Sequence, residues 1–228
     1  MSPSLRGRRD ELGTPRARFH MRYPLLLWLV IWVMPIALAA AIWVAGGRAS
    51  AVVSAVLFLV LVALPLTWFL RRHQVVLTDR GLVYGAFVPG TTPEFARYED
   101  IDLSTVRTWT NIHRYLRSAG VRALESGQMI TPGASGGVTL RLERGAHFVD
   151  GRLRENEMIA RYGGSVQVFA LSGSPRRFVV ALIDVLRAVG APEADLDLVA
   201  REAMQPGTLS GAPRGHLSEI PGYPTPRG

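Results

Sequence analysis

The chain has 228 residues, no cysteine and a formal net charge of +8, and all 26 of its side-chain cations are arginines. The missing cysteine excludes a disulfide framework and a thiolate metal site. The charge excludes less than it suggests: six arginines against two acids crowd the first 23 residues, while residues 71–205 hold 17 against 15, so the part that folds is nearly neutral and lacks the basic face of a duplex binder.

Residues 1–22 read as a basic, disordered tail. Two uncharged apolar runs follow, residues 24–46 and 49–70, of 23 and 22 residues, separated only by Gly47-Arg48. Each is long enough to cross a hydrocarbon core of about 30 Å at 1.5 Å per residue, so residues 23–70 are expected to form a transmembrane helical hairpin. Neither run contains an ionisable residue, which argues against an ion or proton path. Arg16, Arg18 and Arg22 precede the first span and Arg71 and Arg72 follow the second, whereas the connection holds Arg48 alone. This asymmetry predicts an integral protein of the cell membrane with both ends in the cytoplasm. Those five arginines are the candidate site residues, for anionic lipid headgroups or for topology alone. Tyr23, Trp28, Trp43 and Trp68 fall where interfacial belts belong. Pro35 and Pro65 predict kinks, and Ala51 with Ala55 offers a small-residue contact between the helices. A cleavable leader is the competing reading, because Leu38-Ala39-Ala40-Ala41 resembles a processing site; the run is longer than a leader core and a second span follows.

Past the hairpin the period changes to two. Residues 74–78, the turn Asp79-Arg80-Gly81 and residues 82–84 predict a β-hairpin. Pro89-Gly90 is a break. Residues 95–106 alternate loosely, 107–137 are irregular with a short helix at 115–119, and Val138, Leu140 and Leu142 mark one face of a strand. Residues 158–162 and 165–171 read as the last strands. Ser174 and Pro175 then open a helix whose stripe is Phe178, Ala181, Leu182, Val185, Leu186 and Val189, closed by Gly190 and Pro192. An accessory helix lies within 191–205, and residues 206–228 read as a Gly/Pro/Ser-rich disordered tail.

Two spans, then Gln74-Val75-Val76-Leu77-Thr78-Asp79-Arg80-Gly81-Leu82, then Tyr98-Glu99-Asp100-Ile101-Asp102-Leu103, then a final strand and a capped helix, resemble the bacterial pleckstrin-homology-like membrane proteins. The resemblance covers residues 71–190. It implies a membrane hairpin plus an α+β, mainly-β domain: a bent antiparallel sheet capped by the C-terminal helix. It also implies binding or scaffolding without catalytic residues. The leading reading is therefore a membrane-anchored module without cofactors, its partners the bilayer and another membrane protein, while the near-neutral domain argues against nucleic acid. The irregular 107–137 stretch departs from that pattern. Two other readings stay open, an accessory subunit of a transport or secretion assembly and an enzyme with a site in 107–137.

Other candidates carry little chemistry. Gly133-Ala134-Ser135-Gly136-Gly137 has nucleophile-elbow spacing but precedes a strand rather than a helix. His20, His73, His113, His147 and His216 share no metal-type spacing. Glu155 with Glu157, and Glu99 with Asp100 and Asp102, read as solvated carboxylates.

Overall fold

Residues 15–20 alternate: Arg16, Arg18 and His20 are exposed, while Pro15, Ala17 and Phe19 are half-buried. That period-two pattern makes a strand, β1 (Pro15–His20), where a disordered basic tail was expected. The arginines drew the eye, yet they occupy only the solvent face; Ala17 and Phe19 between them pack on the core. The structure, a computed structural model, describes residues 12–114, 135–143, 147–148, 165–210 and 219–223.

Two helices follow, α1 (Leu25–Val44) and α2 (Arg48–Arg71), both long and apolar enough to cross a membrane. The helix continues through Leu38-Ala39-Ala40-Ala41. Ile31, Ala63 and Leu70 form the buried seam of the hairpin, and Ala51 is buried as well. Most other large apolar side chains of both helices, such as Leu26, Ile36 and Leu61, face outward. A π-helical turn at Leu59–Ala63 stands just ahead of Pro65. Proline has no N–H to donate and its ring crowds the carbonyl four residues back, so a widened turn relieves both.

The rest is two antiparallel sheets. One has the order β1-β2-β3-β4-β7, with β2 (His73–Thr78), β3 (Gly81–Ala86), β4 (Glu94–Arg97) and β7 (His147–Phe148). The other is β5 (Ile101–Trp109), β6 (Gly137–Leu142) and β8 (Ser165–Ala170). The expected β2–β3 hairpin closes on Thr78, whose Oγ1 accepts from Gly81 N–H at 3.2 Å and donates to Gly81 O at 2.9 Å. Gly81 is required for close approach: a Cβ there would stand 2.1 Å from the Ala96 carbonyl oxygen of β4. The sheets join at one corner, where Met21 bridges Leu171, Arg22 N–H donates to Ala170 O at 3.1 Å, and Ser172 N–H donates to His20 O at 2.9 Å.

α3 (Pro175–Ala188) starts from Ser174, whose backbone is extended as an N-cap but whose side chain makes no capping bond. Phe178, Val179, Leu182, Val185 and Leu186 are buried as the helical period requires, while Val189 is half-exposed past the helix end. They close a core that takes Val75, Leu77, Leu82 and Tyr84 from one sheet and Val138, Leu140, Leu142 and Phe169 from the other. Tyr84 meets Phe169 across it, ring centroids 5.1 Å apart at 67°. The accessory helix is α4 (Glu193–Ala203), tied to β5 by Thr108 Oγ1, which donates to Ala203 O at 2.7 Å, and by the Arg107–Glu202 ion pair at 2.8 Å.

Three further expectations fail. The C-terminal tail is not wholly loose: Leu209, Ile220 and Tyr223 bury the outer face of the second sheet against Trp109, Ile112, Val166, Val168 and Ala170. That face is apolar because β8 alternates between two covered sides, a pattern that a half-buried strand would not show. Asp100 is also not solvated, being 3% exposed in the 3₁₀ turn that leads into β5. The irregular stretch begins later than expected, since residues 107–109 complete β5. The short helix at 115–119, the strand at 158–162, Glu155, Glu157, His216 and Gly133-Ala134 lie outside the described residues. Of the elbow-like loop, Ser135 O and Gly136 O accept from Ile112 N–H and Leu171 N–H, respectively, and Gly137 opens β6, so a strand follows the serine, not a helix.

Candidate membrane-proximal site

Both ends of the apolar hairpin enter the same sheet at once. β1 runs into it and β2 runs out of it, paired antiparallel, and Met21 N–H donates to His73 O at 3.1 Å. The junction is aromatic. Tyr23 stands edge-on to Trp28 at 6.4 Å and to His73 at 6.3 Å, and Phe69 meets His73 at 4.6 Å and 78°. Such pairs combine apolar burial with a favourable ring geometry and have a polar end for water.

Cations ring this collar. The Arg72 guanidinium lies 5.7 Å above the Trp68 ring, and Arg48 repeats the arrangement on Trp43 at the far end of the hairpin, also at 5.7 Å. A ring face holds a cation while leaving most of its charge free to act outward. Arg22, Arg71 and Arg72 are all exposed, and the Met21–His73 hydrogen bond joins the residues beside Arg22 and Arg72. The structure therefore groups three of the five expected site residues.

The other two are elsewhere. Arg16 sits six residues before Arg22, about 20 Å away at 3.3 Å per strand residue. It is paired with Asp79 at the opposite end of the β2–β3 hairpin. Hydrogen bonding from Thr14, and then from Arg16, holds the Asp79 carboxyl below its ordinary value. Arg18 lies between, on the exposed face of β1 opposite Val76. An unstructured flank would have left all five free to gather at the hairpin's end; the strand holds Arg16 and Arg18 away from it.

Two cations of this end escaped the sequence reading. Arg176 and Arg177 are exposed on the first turn of α3, just beyond the Ser172–His20 bond that fixes this corner. The available signal was their place at a helix N-terminus, where the macrodipole opposes positive charge. The loop after β3 hangs from the same corner through Phe87 N–H, which donates to Arg72 O at 3.0 Å.

His73 gives this junction a pH response. Burial lowers its pKa, and the Phe69 backbone opposes that less strongly. The unfolded imidazole protonates near 6.5 while the folded one resists, so the unfolded state binds more protons as pH falls below that value and stability declines. The thermal midpoint of the detergent-solubilised chain should fall between pH 7.5 and 5.5, and His73→Gln should flatten the decline. An unchanged slope in the variant would assign the response elsewhere.

Among the described residues no cluster of three or more His, Asp or Glu side chains could hold a metal. No protein-family model matches the chain, and no curated protein and no solved structure is similar to it at a significant level.

Proposed function

We propose that this chain is a non-catalytic binding or scaffolding module anchored in the cell membrane by its hairpin, with a pleckstrin-homology-like domain held on the cytoplasmic face. The observation that carries the reading is the double attachment. β1 precedes the hairpin, β2 follows it, and the two pair directly, so the domain has almost no tether length on either side and must lie against the bilayer surface that the helices leave. Support for the pleckstrin-homology-like part is coarser: the first four strands share one sheet, three later strands form a second, and α3 packs into the core between them. Arg22, Arg71 and Arg72 would then sit at headgroup depth, each contributing about 1 kcal/mol of attraction to anionic lipid. The partner would be another membrane protein, met by the domain surface away from the bilayer.

The absence of native cysteine makes the orientation directly testable. Ala45→Cys places a thiol at the hairpin tip and Ser172→Cys places one on the domain corner; both positions are exposed. In intact cells a membrane-impermeant maleimide should label the first and spare the second until the membrane is permeabilised. Labelling of Ser172→Cys alone would invert the topology and end the cytoplasmic reading. Labelling of both without permeabilisation would end the membrane-spanning one.

A further inference from the structure

The segment after α4 is seated on the second sheet in a way that plain coverage does not need. β5 is an edge strand of its sheet among the described residues, and Gly207 adds to that edge in parallel, bridging Trp109. Gly207 N–H donates to Thr108 O at 2.8 Å, and Thr110 N–H donates to Gly207 O at 2.9 Å. Two residues on, Asn111 grips the backbone of Leu209 with both ends of its amide: Nδ2 donates to Leu209 O at 2.8 Å, and Leu209 N–H donates to Oδ1 at 2.8 Å. Arg114 Nη1 donates to the same carbonyl at 2.9 Å and to Ser210 O at 3.2 Å.

Every one of these bonds reads main chain. An extended segment of any sequence offers the same groups, so they supply affinity without identity. Two positions supply identity; between them Thr208 Oγ1 makes an exposed hydrogen bond with Thr110 Oγ1 at 3.0 Å, which adds little selectivity. At residue 207 a Cβ would stand 3.0 Å from the Trp109 ring, so glycine suits that position. Residue 209 is an apolar anchor, 4% exposed, among Trp109, Ile112, Val166, Val168 and Ala170. An edge strand, an amide that copies a backbone pair and one buried anchor are the parts of a linear-peptide site.

We propose that the β5 edge is a peptide-binding groove, that residues 207–210 occupy it as an internal ligand, and that its external ligand is an extended segment of a partner protein carrying glycine, any residue, then a leucine-like anchor. The tail then sets a threshold: a partner must displace it. The proposal rests on the reading of the domain as a binding module and adds the site. It is independent of which way the hairpin faces, so the maleimide experiment and the peptide experiment fail separately.

The test uses the full chain in detergent and a variant ending at Met204. The probes are a fluorescent peptide of residues 205–223 and an unrelated host peptide with an embedded Gly-Thr-Leu. Anisotropy should show both peptides binding the shortened variant with Kd of roughly 1–100 μM and the full chain at least tenfold more weakly, with Leu209→Asp in the tail peptide abolishing binding. If the shortened variant does not fold, full-length Leu209→Asp releases the tail while keeping it attached, and should accept the wild-type peptide. Equal binding to the full chain and the open variant, or no binding to an open variant that retains its native fluorescence and circular dichroism, would overturn the proposal. A full-length dimer that becomes a monomer on shortening would overturn it too, because the groove would then serve tail exchange between copies.

Discussion

Phe178→Ala should remove about 3–5 kcal/mol of the domain's stability, the cost of deleting a fully buried aromatic ring from a core that cannot collapse around the void. The ring has no solvent exposure and sits 5.2 Å from Phe19 at 64°, where α3 crosses β1. It touches the element that joins the domain to the hairpin, so the loss falls on the joint between the two parts as well as on the core. Against the usual 5–15 kcal/mol of a folded domain that is at least about a fifth of the total. Denaturant unfolding in detergent, followed by the emission of the buried Trp109, measures it. Val180→Ala, on the exposed side of the same helix, should stay within about 0.5 kcal/mol. A Phe178→Ala loss below about 1 kcal/mol would mean that α3 does not close this core.

The second large effect concerns lipid. Replacing Arg22, Arg71 and Arg72 together by glutamine should lower the preference of the protein for anionic over zwitterionic lipid by about 3 kcal/mol, a factor of roughly 10² at low salt. Brominated lipids report it through quenching of the junction tryptophans: brominated phosphatidylglycerol should quench wild type much more than brominated phosphatidylcholine, and the triple variant nearly equally. Arg16→Gln with Arg18→Gln is the control, since β1 carries those two away from the junction, and should leave the ratio close to wild type. Salt near 1 M, with a screening length of about 3 Å, should shrink the wild-type difference. A triple variant with unchanged quenching would reduce these arginines to topology signals.

How far the sequence foretold the molecule depended on whether one pattern ruled each segment. The hairpin helices are apolar all round, and α3 is apolar at helical spacing; both emerge within a residue or two of where they were expected. β6 was found from its alternation, but it is covered on both faces and not half-buried: Thr139, on the side opposite Val138 and Leu140, is fully buried and accepts from Trp109 Nε1. β1 was missed because Arg16, Arg18 and Arg22 read as charge, whereas the structural information was in Ala17, Phe19 and Met21 between them. Its pairing with β2 also spans the whole hairpin, which no local window sees. The tail was missed for a related reason: Gly207, Leu209, Ile220 and Tyr223 are isolated apolar or small residues in a polar setting, and only the uncovered face of β8 and the Asn111 amide give them a place. Of the site, the cations themselves could be read off directly, but which of them stand together could not, since that is decided by strand pairing.

The β1–β2 pairing also imposes an order of events on biogenesis. Arg16 and Asp79 meet from 63 residues apart, with both apolar helices between them. At translation rates of about 5–20 residues per second, β1 waits roughly 3–13 s for its partner strand. Both apolar helices are made during that wait. Completion of the first sheet therefore comes after synthesis of both apolar helices, and until then the apolar face of β1, Ala17 and Phe19, has no β2 to lie beside.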